Sequence, residues 1–342
     1  MIPEDVRRLR PTARGFFVAM ASAAFLSAVP ADASAQAWLP APGEGAVSIQ
    51  WQNVLSKDHF VPTTAVDIGH IDTHAVVVDV TYGLTTHVAV DVSLPFIASK
   101  YDGPQPHPTA LDDGAFHGSL QDLRLAVRYN LRAGGFAVTP YIGSILPSHN
   151  YEYYAHAAPG RRVAEVQVGA YFGKLLDAVI PGAFLQARVG YGLMQQVIEL
   201  NHGRAMLDLE IGDFVTERVR IFAIGSGQLT TGGIDIPADG PNGLAMLLQP
   251  QHDRIDRTHF LNVGAGASFS IRESVDVFGS IVTNVANRNG HATNRGIDVG
   301  VSWSFKRAGE PSARDLARAA ARTDRDAEAR ALVKCVCQRG TR

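Results

Sequence analysis

The sequence predicts an all-β chain: a transmembrane antiparallel β-barrel of about twelve strands, followed by a short helical C-terminal tail. Three observations carry that expectation. The first is residues 296–305, where Ile297, Val299, Val301, Trp303 and Phe305 alternate with Asp298, Gly300, Ser302 and Ser304. Successive strand side chains point to opposite faces, so one face is apolar and ends in aromatics while the other is small and polar. A strand standing between lipid and a watery lumen needs that pattern. The second is that no run of about 18 apolar residues occurs beyond residue 35, so no spanning helix is expected. A mean hydropathy of +0.01 is too polar for a helical membrane protein and suits strands wetted on one side.

The third observation is an export signal. Arg7, Arg8, Arg10 and Arg14 precede the apolar stretch Phe16 to Val29, and Ala33, Ser34 and Ala35 offer a small-residue cleavage site before Gln36. This is the layout of a secretory signal peptide over residues 1–35; the competing reading is an N-terminal anchor, against which Pro30 and the small residues argue. The only cysteines are Cys335 and Cys337, so residues 36–305 hold no disulfide framework and must be stabilised by ladder hydrogen bonds and packing.

Period-2 segments bounded by turn residues fall at about 45–56, 71–82, 87–96, 119–131, 135–146, 163–173, 182–195, 204–213, 217–228, 258–271, 274–285 and 296–305. In the fourth, Leu123, Leu125, Val127, Tyr129 and Leu131 form one row and Asp122, Arg124, Arg128 and Asn130 the other. A soluble sandwich would not readily bury that second row. Short connections alternate with longer ones at 57–69, 98–118, 147–161, 229–257 and 286–295; the connection 196–203 is the short exception among the long ones. Alternating short periplasmic turns and long outer loops is the bacterial barrel arrangement, and an even strand count puts both termini in the periplasm.

Several segments resemble the outer-membrane protein family associated with the meta-pathway of phenol degradation, whose members are described as transporters. The matching pieces are Ser93-Leu94-Pro95-Phe96, Leu120 to Leu125 with Arg128-Tyr129, Thr139-Pro140 through Leu146-Pro147, and the closing strand ending in Phe305. The match runs in order over about residues 45–305. Ser148-His149 stands where that family carries a Thr-Gly or Ser-Gly pair, and 37 residues follow Phe305 where bacterial outer-membrane barrels characteristically end. The resemblance implies a bacterial outer-membrane channel for passive uptake of small aromatic or hydrophobic compounds. Its partners would be outer-membrane lipid, the solute, and the barrel-assembly machinery reading the strand that ends in Phe305. No nucleic acid is expected.

By strand parity the lumen is lined by Asp79, Asp91, Asp122, Arg124, Arg128, Glu165, Arg188, Asp208, Glu210, Arg218, Arg220, Asp276 and Asp298. A charge facing lipid at the midplane would cost about 2–4 kcal/mol, which is why the row must face inward. Two roles stay open for it: lining a conducting pore, whose selectivity rings of charge would set, or pairing across the lumen as a structural plug in a non-conducting envelope barrel. No enzyme activity, cofactor, catalytic residue or metal is expected. The twelve histidines show no H-E-x-x-H spacing or Cys/His cluster; His59, His70, His107, His117, His149, His156, His202, His252 and His291 fall in or beside long loops or strand ends and read as surface imidazoles, while His74 and His87, near Asp72 and Asp91, read as paired lumen residues. Ser148-His149-Asn150 is the one local trio that an outer-membrane lipid hydrolase could use.

Charge divides at the end of the last strand. Residues 36–305 carry 17 Lys/Arg against 25 Asp/Glu, whereas residues 306–342 carry 10 against 5. This sets a barrel domain, 36–305, apart from a basic periplasmic tail, 306–342, where Pro311 and the capping box Ser312-x-x-Asp315 predict a short helix.

Overall fold

A computed structural model of the protein describes residues 37–306, apart from 105, 134–135, 177–178 and 238–242, together with the dipeptide Ser22–Ala23. The expected signal peptide, apart from that dipeptide, and the basic tail beyond Lys306 lie outside the described residues.

Twelve strands close into an antiparallel barrel. They are β1 (Glu44–Val61), β2 (Thr64–Gly83), β3 (Val88–Asp102), β4 in three pieces (His117–Leu120, Leu123–Tyr129, Leu131–Ala133), β5 (Phe136–Leu146) and β6 (Glu165–Leu175). There follow β7 (Ala183–Met194), β8 (His202–Phe214), β9 (Val219–Gly232), β10 (His259–Arg272), β11 (Val275–Arg288) and β12 (Gly290–Lys306). Each pairs with its sequence neighbours, and β12 closes on β1 with Phe305 opposite Gly45 and Ile297 opposite Asn53. No helix among the described residues is long and apolar enough to cross a membrane.

The apolar row of every strand points out. Ile49, Ile142, Leu193, Ile281 and Trp303 are each more than half exposed. Leu125, Val127, Val299 and Val301 face the same way. Aromatics gather at the end bearing the short turns, where Phe305 lies 6.2 Å from Tyr82 and 6.3 Å from Trp303 between ring centroids. Such rings belong at a lipid–water interface.

Two expectations are corrected. Segments 57–69 and 286–295 are hairpin extensions rather than loops: β1 and β2 meet at a two-residue turn, 62–63, and β11 and β12 at Asn289 and Gly290, both at positive φ. Their sequence lacks the apolar row because above the lipid neither face needs one. Strand β4 is interrupted at Gln121 and Asp122, whose side chains bond Pro159 O and the Tyr151 hydroxyl instead of packing along a regular ladder. The long connection between β9 and β10 carries a one-turn helix, α1 (His252–Ile255).

Val299 stands about midway along the apolar band of β12 and is 48% exposed. Val299→Arg is expected to destabilise the barrel by about 2–4 kcal/mol in reversible denaturant unfolding in lipid.

Candidate functional site

The lumen is built from the second face of each strand, and glycines make its large side chains fit. A Cβ at Gly169 or Gly190 would run into the Tyr141 side chain, so these two strand glycines open space for an inward tyrosine.

Ion pairs run along the wall rather than across it. Arg128 Nε lies 2.7 Å from Asp91 Oδ2 on the neighbouring strand. Arg188 lies 3.5 Å from Asp208, its register partner. Arg220 lies 3.3 Å from Glu210, again one strand away. Arg204 reaches past one strand to Glu165 at 2.7 Å, and both side chains are almost fully buried, at 6% and 2% exposure. Neutral partners complete the wall: Arg188 donates to Gln167 Oε1 (2.8 Å) and the Tyr141 hydroxyl (3.1 Å), Arg204 to Gln228 (3.1 Å), and Gln50 to Asp79 (3.1 Å).

Among the predicted lining residues, Asp79, Asp122, Arg128, Glu165, Glu210 and Asp298 are buried inside the barrel. Asp79, Asp91, Arg124, Arg188 and Asp208 surround one lumenal cavity of about 170 Å³, which also reaches Tyr141, Gln167, Tyr171, Arg204, Gln228 and Phe260. Arg220 and Asp276 sit toward the turn end, where Asp276 accepts a hydrogen bond from Ser270. Arg218 is not in the lumenal row; it occupies the exposed turn between β8 and β9, because the strand begins at Val219, two residues later than the expected 217. The lumenal residues missed from the sequence are the uncharged ones and Arg204. Gln167 and Tyr171 share the parity of Glu165, and Arg204 that of Asp208, so the same alternation marks them.

Aromatic rings and guanidinium groups interleave at the centre. Arg188 lies over Tyr141 (5.1 Å to the centroid) and Tyr171 (5.9 Å), and Arg128 over Tyr171 (5.5 Å). Each such contact is worth about 0.5–2 kcal/mol.

Both ends of the lumen are narrowed. At the turn end Ala37 is fully buried against Ala137, Tyr141 and Tyr171; its N–H donates to Gln186 and its carbonyl accepts from Thr139. At the loop end the segment 151–163 bends inward: the Tyr151 hydroxyl donates to Asp122 at 2.5 Å and itself accepts the N–H of Arg162. Above it the described residues of the loops 103–116, 147–164 and 233–258 form a cap. Ile255, Val163 and Val197 make its apolar centre, and Arg161 lies 3.8 Å from Asp256. Burial pushes the Asp256 carboxyl up to about 6.

Asp112 ties two of these loops together. Its carboxylate accepts the backbone N–H groups of His107, His156 and Ala157 and lies against the Nδ1 atoms of both histidines. Burial works to raise its pKa, but the bonds from His107, His156 and Ala157 outweigh it and hold the carboxyl well below the usual range. The expectation of surface imidazoles therefore fails for this group: His59, His252 and His291 are buried, and the side chains of His107 and His156 are 8% and 7% exposed. No spacing motif announces them, because they come from three loops and two strand ends.

The hydrolase trio does not assemble. Ser148 Oγ lies 2.9 Å from His149 Nδ1, but the other ring nitrogen faces Ser119 Oγ at 3.4 Å and not a carboxylate, and Asn150 accepts from Arg162.

No family model matches the chain, and no curated protein sequence matches it. Its structure is similar to that of the COG4313 outer membrane channel from Pseudomonas putida F1, with a TM-score of 0.61 at 12% identity over 81% of this chain and 100% of that one. The fold is that of an outer-membrane barrel. NanC porin is a more distant likeness, at TM-score 0.44 and 8% identity over 75% of this chain and 98% of that one.

Removing one member of the buried Glu165–Arg204 pair leaves an uncompensated charge. Arg204→Ala is expected to cost about 3–5 kcal/mol in denaturant unfolding, against a much smaller loss when Arg204 and Glu165 are replaced together by apolar residues. Ser148→Ala is expected to leave any residual lipid hydrolysis unchanged, read with a fluorogenic phospholipid.

Proposed function

We propose that the protein is a channel of the bacterial outer membrane for passive uptake of small aromatic or hydrophobic compounds, acting without bond-making chemistry. The observation that carries this reading is the lumenal cavity itself. Its ion pairs lie along the wall and leave the space between unbridged, while Tyr141, Tyr171 and Phe260 offer flat apolar surface beside Arg128 and Arg188. An aromatic solute entering there finds ring surface, with water displaced from apolar area, beside a wall where Arg128 and Arg188 are already paired with Asp91 and Asp208. The resemblance to the family of the phenol meta-pathway supports the same class of solute.

The two constrictions make it a gated channel. For a solute to pass, segment 151–163 must leave Gln121 and Asp122, and the segment at Ala37 must leave Gln186 and Thr139. Each of these hydrogen bonds is worth about 0.5–1.5 kcal/mol net, and the loop-end segment is held in addition by the bonds of His156 and Ala157 to Asp112. The same constrictions favour the second reading, a non-conducting barrel that acts through its cap. In either case the lipid-facing band would contact outer-membrane lipid, both termini would lie in the periplasm, and the strand ending in Phe305 would be read by the assembly machinery.

Reconstituted in planar bilayers, the intact protein is expected to give small single-channel steps. Tyr151→Ala, which releases the inward segment from Asp122, is expected to raise the conductance or the open fraction. A folded barrel that stays silent in both forms supports the non-conducting reading.

A further inference from the structure

Five histidines gather beneath the cap at the loop end, an arrangement the lumen does not use. His107 comes from the loop after β3, His156 from the loop after β5 and His252 from α1, while His59 and His291 are register partners at the ends of β1 and β12. Ring centroids lie 4.1 Å apart for His107 and His156, 5.7 Å for His107 and His252, 5.6 Å for His156 and His291, and 4.5 Å for His59 and His291. Asp112, whose side chain is fully buried, lies 3.1 Å from His107 Nδ1 and 3.0 Å from His156 Nδ1.

Two histidines beside these bonds carry ring nitrogens that face an acceptor or meet no partner among the described residues. His252 Nδ1 is 2.7 Å from the carbonyl oxygen of Gln249, which only accepts, so the ring donates there and a neutral ring keeps its lone pair on Nε2. That lone pair stands 3.2 Å from Asp253 Oδ1, an opposition of two acceptors that a proton or a metal between them relieves. His59 is 93% buried, and its Nδ1 meets no hydrogen-bond partner among the described residues. Leaving such an atom unpaired costs about 1–3 kcal/mol, so the ring is held there by something other than its own hydrogen bonds.

We propose that His107, Asp112 and His156, whose ligand atoms all lie within 4.8 Å of one another, form a binding site for a divalent transition-metal ion of the zinc class that staples two of the capping loops together. Bonds of about 2.0–2.1 Å in a tetrahedron place neighbouring ligand atoms about 3.3 Å apart, within a few tenths of an ångström of the observed nitrogen–oxygen separations. Two imidazoles and one carboxylate, with the fourth position open to solvent, select a borderline ion over calcium or magnesium, which take oxygen ligands. On binding, the metal takes the place of the Nδ1 proton of His107 and of His156, and each proton moves to Nε2 of the same ring. The backbone N–H groups of His107, His156 and Ala157 stay on Asp112 and orient it as an outer shell. This inference is independent of whether the lumen conducts.

The test is zinc titration of the full-length, detergent-folded protein by calorimetry after chelator treatment, in a Cys335→Ser, Cys337→Ser background that removes the tail thiols. One equivalent of Zn²⁺ is expected to bind, and His107→Gln and His156→Gln are each expected to weaken it about 10- to 100-fold. The exposed His70→Gln should leave it unchanged. Cobalt(II) substitution of the unmutated histidine set gives a second readout, with the intense visible bands of a tetrahedral nitrogen–oxygen site expected. The proposal is overturned by absence of binding, by binding that neither cluster variant weakens, or by an octahedral cobalt spectrum. Should a histidine variant fail to fold, judged by heat-dependent gel mobility, the cobalt spectrum decides alone.

Discussion

The rest of the structure depends on one constraint: within lipid no backbone N–H or C=O can be left without a partner. An open sheet of twelve strands would expose two ladder edges to hydrocarbon. The pairing of β12 with β1, from Lys306 opposite Glu44 to Gly290 opposite Phe60, removes both edges at once. Closure then fixes everything else about the wall. Once the sheet is a cylinder, each residue faces either lipid or lumen, and the two environments sort the side chains more strictly than a soluble core would.

That sorting explains why so many charges are buried without destabilising the protein. The lumen is narrow enough that a guanidinium on one strand meets the carboxylate of the next, as Arg128 meets Asp91 and Arg188 meets Asp208. Pairing between neighbouring strands spares the centre of the lumen, where pairing across it would have filled the cavity. Tyr141 and Tyr171 take up the space that the paired charges leave, and glycines at 169 and 190 allow Tyr141 in. The cap obeys a different logic. Above the lipid, loop backbones are held by a few buried polar centres, with Asp112 joining two loops and Asp235 joining Arg257, Arg288 and Asn289.

The barrel wall was legible from the sequence because a period of two is a local property: Leu123 to Leu131 announce their face without reference to any other strand. The same parity picked out nearly all the charged lumenal residues and misplaced only Arg218, where the strand begins two residues later than expected. It passed over Gln167, Gln228 and Tyr171, since an uncharged inward residue carries no penalty that would flag it. Segments 57–69 and 286–295 read as loops for a related reason: a hairpin standing in water on both faces has no apolar row to reveal it.

By itself the sequence determined that the chain has two faces per strand, how many strands there are, and which residues meet lipid, because each of these follows from side-chain alternation and the cost of charge in hydrocarbon. Only the tertiary structure decided which charges pair, that both ends of the lumen are narrowed, and that five histidines meet beneath the cap. Those facts depend on strand register and on loops folding over one another across more than two hundred residues. No local pattern records the distance between His59 and His291; closure of the barrel alone brings them together.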